Sequence, residues 1–160
     1  MSFPKIVDTD TGSVESHRFL EIPISGPGAA NRLVAITGVA IPEADESDGT
    51  GTNAQNEPLI HGDIFIKTDY RLKDTDRWQE IVNGNKALLA ATYVSLASIT
   101  YDDEEPAIDA VPAFTAAVDS VDTTVDSDNR IQVHLVVGLQ GDTTIHRISY
   151  QVNILVQKAG

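Results

Sequence analysis

RIQVHLVVGLQ (130–140), GD (141–142) and TTIHRISYQVNILVQK (143–158) together carry the clearest pattern in the chain. Ile131, Val133, Leu135, Val137 and Leu139 alternate with Gln132, His134, Val136 and Gly138. Past the break, Ile148, Tyr150, Val152, Ile154 and Val156 alternate with Arg147, Ser149, Gln151, Asn153 and Gln157. Period-two alternation means two strands, each with one apolar face. The Gly-containing break between them predicts a tight β-hairpin, with Gly141 suited to a type II′ turn. In that register Ile131 opposes Val152, Val133 opposes Tyr150 and Leu135 opposes Ile148. The other face then pairs Gln132 with Gln151, His134 with Ser149 and Val136 with Arg147. Apart from Arg147 that face is uncharged, and it includes Gln132, His134, Val136, Gln151 and Asn153.

Working outward, the same patterning recurs. Arg18–Ile24 reads as a strand with Leu20, Ile22 and Ile24 on one face, and Pro23 makes it an edge because proline cannot donate to a ladder. Leu33–Ile41 is apolar on both faces, as in a central strand, with Gly38 as a bulge or a point of close approach. Ile60–Leu72 alternates as a long half-buried strand. His61 and Asp63 share its polar face, where they fit a surface ion pair, a base with its orienter, or two metal ligands. Asp74–Gly84 has helix signals: Asp76 and Gln79 in a capping-box spacing, with Trp78, Ile81 and Val82 at i, i+3, i+4. Residues 86–92 fit helix or strand, and a strand is expected from about Ala91 to Tyr101. A strand interrupted near Asp119-Ser120 is expected over 113–125, and Asp126–Asn129 is an Asx-type turn. These readings sum to an all-β, antiparallel, jelly-roll-like sandwich of about seven or eight strands, with one short helix near 75–83. Residues 1–16 read as an extended N-terminal arm, with 17–160 as the sandwich domain.

Composition narrows the function. The chain has 160 residues, 24 acidic and 11 basic side chains, a net charge of −13 and no cysteine. Disulfides, thiolate metal sites and cysteine nucleophiles are excluded. Such acidity opposes binding to nucleic acid or anionic lipid, because no basic patch is available to displace counterions. No apolar run follows Lys5, as a Sec-type signal requires, and none approaches a membrane span. Cytoplasmic synthesis with incorporation into a particle is therefore expected, the final location being unknown. No G-x-S-x-G, H-E-x-x-H, Walker or Rossmann motif occurs, and the four histidines sit on separate segments, so no enzyme is expected.

The expected function is a structural subunit of a homo-oligomeric or mixed assembly: a particle shell, virion or decoration protein, or filament. Its contacts would be Phe3, Ile6 and Val7 of the arm and the uncharged face Gln132, His134, Val136, Gln151 and Asn153, since interface cores are depleted of charge. The alternative is a Ca²⁺-dependent glycan- or ligand-binding module. Glu43, Asp45, Glu46 and Asp48 in the long 43–57 loop would supply oxygen ligands, although their spacing is not that of an EF-hand.

Overall fold

A computed structural model describes residues 5–9, 12–24, 31–42, 59–73, 76–77, 90–101, 116–140 and 143–158. Nine strands lie among them: β1 (Lys5–Asp8), β2 (Val14–Ile24), β3 (Asn31–Ala40), β4 (Leu59–Arg71), β5 (Asp76–Arg77), β6 (Ala90–Tyr101), β7 (Ala116–Val125), β8 (Arg130–Gln140) and β9 (Thr143–Lys158). They form a sandwich of two sheets. The first is four-stranded, in the order β1-β4-β8-β7; the second is five-stranded, in the order β2-β3-β9, with β5 and β6 both pairing with β9. Every pairing is antiparallel except β1 with β4, which is parallel.

The expected hairpin is not formed. β8 pairs with β4 and β7, whereas β9 pairs with β3, β6 and β5. The two strands belong to different sheets. The alternation nevertheless assigns the inward side chains correctly. Ile131, Val133, Leu135, Val137 and Leu139 are fully buried, as are Ile148, Val152, Ile154 and Val156, with Tyr150 nearly so. These two apolar rows meet across the interior instead of lying side by side in one sheet. Both strands are central, so each already has a neighbour on either edge.

Other expectations are met locally. β2 is an edge strand, with Pro23 in an unbroken register against β3. β6 begins at Ala90. β7 slips register between Val118 and Ser120, where the break was expected. Asp126 Oδ1 accepts from the N–H groups of Asp128 and Arg130, both at 2.9 Å, closing an Asx turn in which Asn129 takes a φ of 60°. Of the expected helix near 75–83, Asp76 and Arg77 form the short strand β5; the rest lies outside the described residues.

Gly38 marks a close approach. It opposes Tyr150 in the β3–β9 ladder, and a Cβ built on it would fall 2.3 Å from the phenol oxygen and 2.5 Å from Cζ. The ring therefore occupies the space above the glycine, the familiar aromatic cover of a strand glycine. Burial, then the charge of Asp69, pushes the Tyr150 phenol well above its ordinary pKa, and its hydroxyl is buried without a hydrogen-bond partner.

Residues 5–8 of the expected arm are part of the fold. β1 lies alongside β4, with Val7 opposite Ile66 and fully buried. The arm is fastened by Arg130, which sequence patterning gives no reason to single out. Its side chain is 4% exposed and donates to Asp8 Oδ1 at 2.6 Å and Oδ2 at 3.2 Å, to Thr9 Oγ1 at 2.8 Å, and to the Thr68 carbonyl at 2.9 Å. β4 departs from β8 between Lys67 and Arg71, and the guanidinium occupies that irregularity. Thr68, buried beside it, donates to the Ile131 carbonyl at 2.6 Å.

Candidate functional site

The two outer faces of the sandwich differ in chemistry, and the difference comes directly from which residues alternate outward. On the first sheet, β4, β8 and β7 place His61, Asp63, Phe65, His134, Asp119 and Asp122 on the surface. His61 and Asp63 do not pair with each other. His61 Nδ1 meets Asp119 Oδ2 at 2.7 Å, and Asp63 Oδ1 meets His134 Nε2 at 2.8 Å. His134 Nδ1 also lies 3.4 Å from Asp122, and the Phe65 ring stacks on the imidazole at 4.5 Å and 7°. Gly138 lies beside the first bridge, where a Cβ would make ordinary contacts with His61 Cε1 at 3.4 Å and Asp119 Oδ2 at 3.5 Å. Both ring nitrogens of His134 face carboxylates, and Ser149, expected beside it, lies in the other sheet. This face is a lattice of solvated ion pairs.

The second sheet is different. β3, β6 and β9, of 10, 12 and 16 residues, contain no Asp or Glu at all. The registers assemble its outer face in rows: Ile22, Leu33 and Leu155; Leu20, Ala35, Asn153 and Ala91; Arg18, Thr37, Gln151 and Tyr93. Leu20 is 60% exposed, Tyr93 63%, and Ile22 and Ile24 44% each. Beyond the third row the face dips into a shallow groove of about 460 Å³, lined by neutral groups including Ser16, Thr37, Tyr93, Ser95, Ser149 and Gln151. Apart from Arg18, the rows named are uncharged, and at one end Glu15 lies 3.6 Å from Arg147.

The inward side chains of β2 seal this margin of the sandwich against β4. Tyr70 donates to Glu21 Oε1 at 2.6 Å and accepts from Arg32 Nη2 at 2.7 Å. Phe19 packs edge-on against the Tyr70 ring at 5.2 Å, and His17 Nδ1 lies 3.5 Å from Asp69. Burial, then the hydrogen bond to Glu21, pushes the Tyr70 phenol up to about 12. The same Tyr70 hydrogen bond is the main cause holding Glu21 below the usual carboxylate range. Burial, partly opposed by Asp69, lowers His17. With Glu21 and Phe19 committed inward, Leu20, Ile22 and Ile24 are the row of β2 turned to solvent.

The eight expected contact residues do not form one surface. Gln132, His134 and Val136 lie on the outer face of the first sheet, among its carboxylates, while Gln151 and Asn153 lie on the opposite side of the molecule. The expectation of a single uncharged face fails with the hairpin that would have joined them. Val7 is in the chain's own core, Ile6 is 59% exposed opposite Phe65, and Phe3 lies outside the described residues. So do Glu43, Asp45, Glu46 and Asp48, the expected Ca²⁺ ligands. Among the described residues no group of three or more His, Asp or Glu side chains is arranged to hold a metal ion, and no helix is long and apolar enough to cross a membrane. Patterning put Leu20 and Ile22 on one face of an edge strand, but none of Leu20, Ile22, Leu33, Leu155 and Tyr93 was expected as a contact residue. The available signal was the absence of acids from 31–41, 90–101 and 143–158 in so acidic a chain. Comparison with protein-family models, with curated proteins and with solved structures finds no match.

Proposed function

We propose that the chain is a non-enzymatic structural subunit of a larger assembly, a particle shell, decoration layer or filament, and that it meets its neighbours through the outer face of the second sheet. The observation that carries this reading is the absence of acids from β3, β6 and β9, with exposed Leu20 and Ile22 beside them, on a chain of net charge −13. Two copies can approach there without opposing carboxylates, whereas the first sheet would bring Asp63, Asp119 and Asp122 together. Size is also favourable. Four strands about ten residues long, at about 4.8 Å spacing and about 3.3 Å rise, cover roughly 600 Å² before side-chain relief is added. A stable interface takes about 800 Å² per partner. Ile6 of the arm, exposed opposite Phe65, lies on the first sheet and is not part of this face.

Light scattering behind size exclusion tests the reading on the full chain. The expected mass is a multiple of 17.2 kDa, rising with concentration. It should also rise with salt, because screening relieves repulsion between like-charged copies while leaving the apolar contact intact. Ile22→Asp or Leu155→Asp, each placing a charge in the acid-free row, should return the monomer. A 17.2 kDa species at every concentration and salt would overturn the proposal.

A further inference from the structure

A sandwich is most open to other chains at its sheet edges, where a strand carries unpaired N–H and C=O groups. Most edges here are blunted. β1 has four residues and β5 has two. β7 is interrupted after Val118 and carries Asp119 and Asp122, and β6 slips register twice between Leu96 and Ile99. β2 is the long edge: its register breaks only between Glu15 and Arg18, and its charges and proline (Arg18, Glu21, Pro23) are interleaved with exposed apolar side chains. Among the described residues it pairs with β3 alone, holds an unbroken register from Arg18 to Ile24, and carries four of the six exposed large hydrophobic side chains.

We propose that β2 pairs antiparallel with β2 of a second copy about a two-fold axis at Leu20, joining the second sheets of the two copies into one continuous sheet. This rests on the structural-subunit reading and supplies its partner and geometry. Pro23 shows which groups face the free edge. Its nitrogen bears no hydrogen, so within an unbroken ladder it takes a position where β3 needs no donor. By strand alternation, the N–H and C=O groups of Phe19 and Glu21 then also point away from β3.

Side-chain faces restrict the self-pairing to registers that differ by two residues. Centring on Leu20 opposes Leu20 to itself, Phe19 to Glu21 and Arg18 to Ile22, so that Phe19 and Glu21 exchange backbone hydrogen bonds across the axis. Centring on Glu21 sets two carboxylates directly opposite and spends a hydrogen-bonding position on Pro23 against Phe19, both unfavourable. Centring on Phe19 moves Ile22 onto Ser16, within the irregularity between Glu15 and Arg18. Centring on Ile22 again places Pro23, now opposite Glu21, where a donor is required. Centring on Leu20 keeps both Phe19–Glu21 exchanges and sets no like charges opposite; Pro23 falls opposite His17 and Ile24 opposite Ser16 only at the ends of the paired segment, and the apolar outer row extends across both copies.

The chain has no cysteine, so a single introduced thiol reports the register directly. In the proposed pairing Leu20 faces its own copy at a non-hydrogen-bonded site, with Cα atoms about 4.5 Å apart, inside the range a disulfide spans. Leu20→Cys, a change at an exposed side chain, is expected to oxidise to a covalent dimer with loss of the monomer band. Phe19→Cys and Ile24→Cys, each set off from its own copy, should remain monomeric on the same gel. Amide exchange at Phe19 and Glu21 should slow as concentration rises. If the unmodified protein is oligomeric by light scattering but Leu20→Cys gives no more dimer than the two controls, edge pairing is wrong and the structural-subunit reading survives. A monomeric protein with no preferential Leu20→Cys dimer overturns both.

Discussion

Replacing Asp8 by alanine tests the clamp that fastens the first strand to the fold. Arg130 is 4% exposed and receives both oxygens of Asp8, at 2.6 and 3.2 Å. Truncating one partner of a buried ion pair costs about 3–5 kcal/mol, most of it from the charge left behind. Arg130 keeps Thr9 Oγ1 and the Thr68 and Lys67 carbonyls as acceptors, which puts the cost near the lower end, about 3 kcal/mol. With a urea slope of about 2 kcal/mol/M, the unfolding midpoint should fall by about 1.5 M. Arg130→Met removes the buried cation and leaves Asp8 within reach of water, so it should cost less, about 1 kcal/mol. The double variant should then resemble Arg130→Met alone, a coupling of about 3 kcal/mol in a double-mutant cycle. A fall below about 0.5 M for Asp8→Ala, or additive behaviour of the pair, would refute the clamp.

Two further outcomes follow from the tyrosines. Gly38→Ala should cost about 2–3 kcal/mol in urea unfolding, because the new methyl meets the Tyr150 ring and not only its hydroxyl. Tyr150→Val should therefore relieve it more than Tyr150→Phe, which leaves Cζ in place; equal rescue would contradict the geometry. Tyr150→Phe alone removes a buried, unpartnered hydroxyl and should be neutral or stabilising by about 1 kcal/mol. For Tyr70, a folded pKa raised to about 12 means its contribution to stability is complete below the ordinary value of 10 and is lost as pH climbs from there through about 12. Tyr70→Phe should flatten the decline of the urea midpoint over that window, with Tyr150 supplying the remainder; an unchanged slope would show that the phenol is not linked to folding.

How much of this was legible in the sequence depends on whether a feature belongs to one strand or to a pair. Inward and outward positions are properties of a single strand, and the alternation in β4, β8 and β9 identified the core side chains. The start of β6, the interruption of β7 and the Asx turn at Asp126 are local in the same way. Pairing is different. Two consecutive alternating strands with a short connection satisfy a hairpin and a sheet-to-sheet crossing equally well. What decides is whether distant segments supply better neighbours, here β4 and β7 for β8, and β3 and β6 for β9. The candidate surface inherited that ambiguity, because Gln132 and Gln151 share a face only if the hairpin exists. The Asp8–Arg130 clamp spans 122 residues of sequence, and no periodicity points to it.

Charge placement bears on whether the acidity serves solubility alone. Solubility is served by carboxylates on any exposed face, and the 24 acids of 160 residues would put about six in the combined length of β3, β6 and β9, which hold none. Central strands often lack charge, and β8 lacks acids too, yet its outer face is supplied with carboxylates by Asp63 of β4 and Asp122 of β7 on either side. β9 is supplied only near its ends, by Glu15 of β2 beside Arg147 and by Asp76 of β5 opposite Lys158. Its flanking strands β3 and β6 are as free of acids as it is, and the outward row of β2 beyond Arg18 is Leu20, Ile22 and Ile24. Edge strands are where charge ordinarily protects a sheet from association. An edge strand that turns Leu20, Ile22 and Ile24 outward, next to three strands without acids, on a protein with carboxylates in excess, is accounted for if another copy covers it.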